Sequence, residues 1–295
     1  MFRRLRQVAE WVSLVGSLLQ PFSKSRSIEA RRTIALRLLQ GHAESITFQR
    51  DGTHWSSPIA GAVVRDLFLG NRHQEQSFAL LSWLAVARPQ PLIVNAGANI
   101  GDTAIALARA GRRVIAVEPV ASTFAHLVAN VAANRLADLI DCRHAAVASR
   151  PGEIQMAVHP DPGMCEVATA GEQGFGHRNG CPVESVAAVR LDSLAAASDV
   201  ALVWSDTQGF EAEVIESGES FWAASVPLWV EVWPAGLAAH GGIGRFVAAC
   251  RQHFTAFASA KALDRPQPVA ALGSLIEQTR SFTDVLLLPR PLTPG

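Results

Sequence analysis

Two glycines and a carboxylate mark the first place where residue types and spacing point to chemistry. Gly97 and Gly101 lie in the turn after an apolar run, residues 91–96, and Glu118 ends the next apolar run. Because glycine has no Cβ atom, its backbone can approach a ligand closely. A carboxylate at the end of the neighbouring strand can accept hydrogen bonds from both hydroxyls of a ribose. The pairing predicts a nucleoside site; a tight turn that needs glycine but binds nothing is the alternative.

The spacing of the glycines distinguishes between nucleotides. A dinucleotide-binding turn reads G-x-G-x-x-G, whereas three other residues separate Gly97 from Gly101. Asp102 follows at the start of the next helix, where its carboxylate would repel a pyrophosphate. The sequence also contains no G-x-x-x-x-G-K-[ST] phosphate-binding loop. A nucleoside without phosphates therefore suits the turn better, and S-adenosylmethionine is the obvious candidate.

Asp206 is the first candidate for acid–base chemistry. It follows the apolar run of residues 200–205, at the carboxyl end of a predicted strand. There it could remove a proton from an acceptor, or it could cap the helix that begins near Glu211. We expect Glu211 itself to be structural or to bind a neighbouring backbone amide.

Glu231 is the second acid–base candidate. Strand alternation places Trp229, Glu231 and Trp233 on one face of a predicted strand. The indole rings could wall an acceptor pocket with Glu231 as its polar group. Packing between the sheet and a helix, with Glu231 held at the strand end, explains the same pattern equally well.

Histidines and cysteines contribute less. His144, His159 and His177 could act as bases, but a surface or structural role is the commoner one. No H-x-x-x-H, H-x-H or C-x-x-C pair occurs, so we expect no metal site. The cysteines are scattered, which favours reduced thiols in a cytoplasmic protein; they are Cys142, Cys165, Cys181 and Cys250.

From residue 89 onward, apolar runs of strand length alternate with helical patterns. This alternation predicts a parallel sheet that is covered on both faces. Two later runs, residues 255–259 and 283–288, can form a closing antiparallel pair. The stretch of residues 151–190 differs, because glycine, proline and small polar residues dominate it and one strand is expected, at residues 153–158. So long a connection could cover a binding site or be a plain insertion.

Composition excludes several classes of protein. Hydrophobic residues make up 49% and charged residues 18% of the 295 residues, which is enough apolar material for a sizeable core. Lys plus Arg and Asp plus Glu both number 26, and this neutral balance argues against a general nucleic-acid binder. No apolar stretch reaches the roughly 18 residues of a membrane-spanning helix.

The N-terminal segment is the part that the α/β pattern does not include. We expect a helical extension over residues 1–70 and the α/β domain over residues 71–295. Arg3, Arg4 and Arg6 precede a moderately apolar run. Amphipathic helices packed on the domain or forming a homodimer contact explain this pattern. A basic helix resting weakly on an anionic membrane surface and a cleaved signal peptide are the alternatives.

Four segments together resemble the FkbM-type family of class I methyltransferases. Residues 93–101 are similar to its first motif, which reads roughly D-x-G-A-N-x-G. Residues 117–119 match its acid-proline step, residues 191–194 its L-D-S-L element, and residues 206–211 its D-x-[EQ]-G-x-E element. The resemblance covers about residues 70–290, and the four segments in order are more specific than any one of them.

This resemblance implies a Rossmann-like sheet of seven strands, mostly parallel, with the last strand antiparallel. It also implies methyl transfer from S-adenosylmethionine to a hydroxyl on a small molecule, sugar or glycan. Carried over position by position, Asp206 and Gln208 would face the methyl group and the acceptor. The positions that would contact the cofactor are Asn95, Gly97, Asn99, Gly101, Glu118 and, in the loop after the third strand, Asp141 and Cys142.

Two departures from the family pattern matter. Asn95 stands where the family usually has an aspartate that helps to hold the cofactor's ammonium group, and Trp204 stands where a lysine is common. A charge-assisted hydrogen bond is roughly twice as strong as a neutral one. A non-catalytic relative that serves as a binding or scaffold module is therefore an alternative. A nicotinamide-dependent oxidoreductase is a third hypothesis, against which the glycine spacing and Asp102 argue.

Overall fold

The structure is a computed structural model, and it describes residues 24–69, 80, 84, 88, 90–168 and 180–289. The chain divides into two units, Met1–His73 and Gln74–Gly295. The basic segment at residues 3–6 and its apolar run lie outside the described residues. In the described part of the chain, no helix has the length and apolar character needed to cross a membrane.

The first unit combines helices with a hairpin. Its elements are α1 (Lys24–Leu39), β1 (Ser45–Arg50), β2 (Thr53–Pro58) and α2 (Ala62–Leu69). β1 and β2 pair antiparallel through a two-residue turn in which both Asp51 and Gly52 have positive φ, 49° and 74°. That geometry is the one favoured by an Asp-Gly turn between strands. The hairpin lies within the segment expected to be helical, and it differs from that expectation.

The second unit alternates strands and helices. Its strands are β3 (Leu92–Ala96), β4 (Arg113–Glu118), β5 (Ile140–His144), β6 (Ala146–Val147), β7 (Gly152–Ala157), β8 (Glu166–Val167), β9 (Val183–Val189), β10 (Val200–Ser205), β11 (Leu228–Val232), β12 (Ala256–Ser259), β13 (Gln267–Pro268) and β14 (Thr283–Leu288). Its helices are α3 (Asp102–Arg109), α4 (Ala121–Ala133), α5 (Glu211–Glu216), α6 (Glu219–Ala223), α7 (Pro234–Ala239), α8 (Ile243–His253) and α9 (Leu272–Gln278).

Eight of these strands form one mixed sheet in the order β13-β12-β14-β11-β10-β3-β4-β5. The five strands from β11 to β5 are parallel to one another, and the last strand of the chain, β14, runs antiparallel to β11. β14 also pairs antiparallel with β12, as the two apolar runs predicted. The seven-stranded mostly parallel sheet implied by the resemblance is confirmed, with the two-residue β13 as an additional edge strand.

Both faces of the sheet are buried. Ile93 and Val94 point to opposite faces of β3, and each has no exposed surface. On the Val94 face, strand residues pack against Trp222 of α6 and Phe246 of α8 in one apolar cluster. Coverage on both sides explains why the central strands read as nearly continuous apolar runs.

The long connection between β5 and β10 forms a sheet of its own. Its four strands have the order β6-β9-β7-β8, where the sequence indicated one strand at residues 153–158. β7 pairs antiparallel with both β8 and β9. These strands are short or partly exposed, so they lack the apolar runs by which the central strands were recognised.

Candidate functional site

The registers of the main sheet place five residues in one row at its carboxyl edge. Four of them were candidates from the sequence, and the fifth, Asp284, was not. Glu231 on β11 is directly opposite Asp284 on β14. Continuing the register of β10 with β11 and β3 brings Asp206 level with Glu231 and with Gly97. Gly97 is in turn level with Glu118, the last residue of β4. All five positions belong to the same face, so four carboxyl groups flank a single glycine.

Gly97 creates the gap in this row. Its φ is +77°, and a Cβ atom there would lie 1.8 Å from the backbone oxygen of Asp206. The amides of Gly97 and Ala98 both donate to the carbonyl of Val117, at 3.0 and 2.9 Å. The turn is thus pulled against β4 and the end of β10, in a shape that only glycine allows.

Glu118 supports the other side of the gap. Its two carboxylate oxygens accept hydrogen bonds from the amides of Asn99 and Val120, at 2.9 and 3.0 Å. Burial raises the pKa of Glu118 to about 7, with Asp206 among the carboxylates that add to the effect. Each oxygen keeps a further lone pair, so the group can still accept hydrogen bonds from two ribose hydroxyls.

The remaining residues of the first motif have different roles. Asn95 is 1% exposed, and within the described residues its Oδ1 atom has no hydrogen-bond partner. A buried acceptor of this kind fits an N–H donor from a ligand, such as an ammonium group. Asn99 adopts φ +50°, and its side chain accepts from the amide of Ile100 at 2.8 Å. Gly101 instead serves packing, because a Cβ atom there would lie 2.7 Å from Leu127.

An open cavity lies over the row. The space inside it is about 610 Å³, with the solvent at its mouth included. Its lining brings together the predicted Gly97, Asn99, Glu118, Asp206 and Gln208. Asn95, also predicted to contact the cofactor, is not among the lining residues and lies buried in β3. An open backbone turn and a carboxylate that can accept from a ribose, side by side on one cavity, fit an adenosyl cofactor.

The small second sheet covers this cavity. Residues from it and from the turn Pro162–Met164 contribute to the lining: Met156, Pro162, Gly163, Cys165 and Val167. A Cβ atom at Gly163 would lie 4.0 Å from the Asn99 side chain, so this turn sits beside the glycine turn. Of the two interpretations of residues 151–190, the structure favours a cover over a plain insertion. The length of the connection was the signal, but these individual residues were not predicted.

Asp206 and Gln208 form the polar end of the cavity. Gln208 Nε2 donates to Asp206 Oδ1 at 2.6 Å and lies 3.5 Å from Glu231 Oε2. Glu231 is level with Asp206 but does not belong to the described cavity lining. Burial, followed by the charges of Asp206 and Asp284, raises the pKa of Glu231 to about 10. Burial and the neighbouring carboxylates thus favour the protonated form of Glu231.

Asp206 is not the helix cap that its position allowed. α5 begins after Phe210, and no side chain caps it. Glu211 organises the preceding loop, since its Oε1 atom accepts from the amide and hydroxyl of Thr207, both at 3.0 Å, and from the amide of Gly209 at 3.2 Å. Burial raises the pKa of Glu211 to about 7. The structural role expected of Glu211 is confirmed, and Asp206 is left to face the cavity.

The structure does not bring Asp141 and Cys142 to the cavity. Both lie inside β5 rather than in the loop after it, and Asp141 forms a 2.7 Å ion pair with Arg143. Burial, reinforced by Asp141, raises the pKa of the Cys142 thiol to about 11. In the described part of this region, the lining comes from Ala145, Ala146 and Val147. Because the strand continues to His144, these two residues are part of it and not of the loop that follows.

The two tryptophans near Glu231, Trp229 and Trp233, pack against different residues. Trp229 is 1% exposed and packs on Trp204, with ring centroids 5.2 Å apart. Trp233 lies against Gly236 in α7. Packing therefore explains Trp229. Trp204, which stands where the family commonly has a lysine, is part of the same packing.

Two of the three candidate histidine bases, His144 and His159, do not line the cavity. His144 stacks on Phe124 and its Nε2 atom lies 2.9 Å from the carbonyl of Pro119. His159 Nδ1 accepts from the amide of Asp161 at 3.0 Å. His177 lies outside the described residues. Among the residues that the structure describes, no cluster of three or more histidine, cysteine, aspartate or glutamate side chains could hold a metal ion.

Comparison with known proteins identifies the family of this chain. No curated protein matches the chain. Among solved structures, the chain is similar to TYW2 of Pyrococcus horikoshii, in complex with MeSAdo, at 13% identity and a TM-score of 0.44, over 88% of this chain and 81% of that one. It is also similar to the geranyl diphosphate C-methyltransferase of Streptomyces coelicolor A3(2), at 15% identity and a TM-score of 0.37, over 72% and 78%. The methyltransferase FkbM domain matches residues 95–246, which is more than half of the chain. The chain therefore belongs to the FkbM methyltransferase family.

Proposed function

We propose that this methyltransferase transfers the methyl group of S-adenosylmethionine to a hydroxyl oxygen of a small molecule, sugar or glycan. The observation that carries the proposal is the position of Asp206. Its carboxylate lines the same cavity as the glycine turn and Glu118, on the far side of the gap at Gly97. An acid–base group and the predicted nucleoside-binding residues thus share one chamber.

In this proposal, some residues of the chain hold the cofactor and Asp206 accepts a proton. When bound, S-adenosylmethionine supplies a methyl group activated on a sulfonium. Glu118 would accept hydrogen bonds from the ribose hydroxyls, and Asn95 Oδ1 would accept one from the ammonium group. Asp206 would take the proton that the acceptor hydroxyl loses as its oxygen bonds to the methyl carbon and the carbon–sulfur bond breaks. Gln208 holds the Asp206 carboxylate through its 2.6 Å hydrogen bond.

The described cavity lining argues against an anionic acceptor. Its described residues include apolar groups such as Met156, Val167 and Phe210, together with the carboxyl groups of Glu118 and Asp206. None of these described lining residues is lysine, arginine or histidine. Phosphate recognition normally relies on such cations. A hydroxyl compound without phosphate groups is the acceptor class that this chemistry suits.

A methyl-transfer screen with labelled S-adenosylmethionine and a panel of alcohols, sugars and glycans tests the proposal. We expect transfer by the wild type and a loss of about 10²- to 10⁴-fold in kcat for Asp206→Asn, which removes the base but keeps its shape. Asp264→Asn is the matched control, because that side chain is 81% exposed. Cofactor binding without transfer to any acceptor would favour the non-catalytic binding module instead.

Further parts of the proposal concern surroundings rather than chemistry. We place the protein in the cytoplasm, where free thiols such as those of the buried Cys165 and Cys250 stay reduced. A homodimer contact and a weak membrane-surface contact through the basic N-terminal helix remain predictions. The residues that would form that helix are outside the described part of the chain.

A further inference from the structure

Three carboxyl groups stand side by side at the carboxyl edge of the main sheet. Asp284 on β14 faces Glu231 on β11, and Asp206 follows β10 at the same level. Neighbouring strands are about 4.8 Å apart, so each carboxyl group is one strand from the next. Glu231 is the middle member of the row, whereas Asp206 has Glu231 on one side and Gly97 on the other.

The surroundings of Glu231 are anionic. The titratable groups that act on it are Asp206, Asp284 and Glu211, from β10, β14 and α5, and all are carboxyl groups. Like charges at this distance in a partly buried site cannot all be ionised. The middle group has an anionic neighbour on each side, so it is the group from which a proton is hardest to remove.

The two outer groups differ from the middle one. Burial, reinforced by the charge of Asp206, raises the pKa of Asp284 to about 6, which leaves Asp284 ionised above that pH. Glu231, with a pKa of about 10, keeps its proton in the same range. Its hydroxyl can then donate to the Asp206 carboxylate, and a hydrogen bond to the ionised form favours that form.

We propose that Asp284 is a positioning residue for methyl transfer: through Glu231, it fixes the proton on the middle carboxyl group and leaves Asp206 as the ionised group facing the cavity. The proposal rests on the proposed function, in which Asp206 accepts the proton of the acceptor hydroxyl. In that step the oxygen–methyl bond forms, the sulfonium–methyl bond breaks, and the hydroxyl proton moves to Asp206. Asp206 later releases it to solvent, while Glu231 keeps its own proton throughout.

Infrared difference spectroscopy of the full chain tests this assignment without an acceptor. We expect a carbonyl band of a protonated carboxylic acid at pH 8 that is absent from Glu231→Gln. In Asp284→Asn, the same band should disappear at a pH about one unit lower or more, because one neighbouring charge is gone. Asp284→Glu restores the charge and should restore the wild-type midpoint.

Asp264→Asn makes the same change at an exposed site and should leave the midpoint unchanged. Asp284→Ser removes the charge with a smaller side chain and serves if the asparagine variant does not fold. An unchanged midpoint in both charge-removing variants, or no band that depends on Glu231, would overturn the proposal. With an acceptor from the screen, the alkaline limb of kcat should move with the band. Failure to find an acceptor would count against the proposed function and leave the infrared result standing.

Discussion

Gly97 and Asp206 contact each other closely, and both line the cavity. The glycine leaves room for the backbone oxygen of Asp206, and the amide of Asp206 in turn donates to the carbonyl of Ala96 at 3.0 Å. These interactions hold the turn of β3 against the end of β10. A side chain at the glycine would therefore disturb the cofactor turn and the proposed base together.

Gly97→Ala should destabilise the protein by about 2–3 kcal/mol or more and abolish cofactor binding, because positive φ and a 1.8 Å clash act at the same atom. Gly111→Ala is the matched control, since its φ is +85° but nothing lies within 4 Å of the added Cβ atom. It should cost about 1 kcal/mol and leave binding intact. Thermal unfolding and calorimetric titration measure both effects. Equal behaviour of the two variants would contradict this account of the turn.

Glu118 should make cofactor affinity depend on pH. Its pKa is raised to about 7, and the ionised carboxylate is the stronger acceptor for ribose hydroxyls. The affinity for S-adenosylmethionine should therefore rise between about pH 6 and pH 8, and Glu118→Gln should flatten this rise. Calorimetric titrations at several pH values provide the measurement. A slope that survives in Glu118→Gln would assign it to another group.

The same group affects stability with a defined sign. Because the folded-state pKa lies above the unfolded value, the folded state binds the proton more tightly. The stabilisation from protonated Glu118 is complete below about pH 4.5 and is lost as the pH rises through about 7. Glu118→Gln should lack this loss, which would appear as a smaller fall in Tm from pH 5 to pH 7.5 than in the wild type.

Elements differ in how well the sequence foretells them. The central strands were predictable because burial on both faces demands apolar runs, and the Gly97 turn with Glu118 marked the site. The four-stranded cover was not, because β6 and β8 have two residues each and β9 alternates with exposed positions. The hairpin of β1 and β2 does have a sequence signal, the Asp51-Gly52 turn, which favours a two-residue connection between antiparallel strands. Asp284 also carried one, as an acid inside an otherwise apolar final strand.

The cover over the cavity is tied to α7 by His240, the residue at the end of that helix. This buried side chain has Nδ1 2.9 Å from the carbonyl of Gly236 and Nε2 2.9 Å from the carbonyl of Val167 on β8. His240→Ala removes both contacts and should cost about 1–3 kcal/mol. Hydrogen exchange of the amides in β7 and β8 should accelerate. His42→Ala, at an exposed position in the first unit, should change neither quantity; unaltered exchange in His240→Ala would contradict the tie.

At the scale of the whole molecule, neutrality conceals an uneven distribution of charge. Lys plus Arg equals Asp plus Glu, yet the row across the sheet edge contains four carboxyl groups, those of Glu118, Asp206, Glu231 and Asp284. Arginines elsewhere are paired with surface acids, as in the bidentate contact of Arg245 with Glu216. Those carboxyl groups of the row that are ionised thus lie near the cavity where we propose that a cationic sulfonium binds.

Binding at this edge should stabilise the whole chain. A ligand present at a hundredfold excess over its Kd stabilises the folded state by about 2.7 kcal/mol, which raises Tm by several degrees in a protein of this size. We expect this shift with S-adenosylmethionine and a comparable one with S-adenosylhomocysteine. Adenosine diphosphate, a nucleotide with a pyrophosphate, is the matched control and should give none, because Asp102 lies at the start of α3. An equal shift with that nucleotide would contradict the choice of cofactor.

Calorimetric titration of the wild type and of Glu118→Ala with S-adenosylmethionine tests the central claim most directly, since the cavity over Gly97 and Glu118 is the basis of everything proposed here. We expect micromolar binding to the wild type and a loss of about tenfold or more in the variant, from one charge-assisted hydrogen-bonding group. No binding to the wild type at millimolar ligand would contradict the account. Asn95→Asp, which restores the charge common in the family, would then show whether that single substitution is the cause.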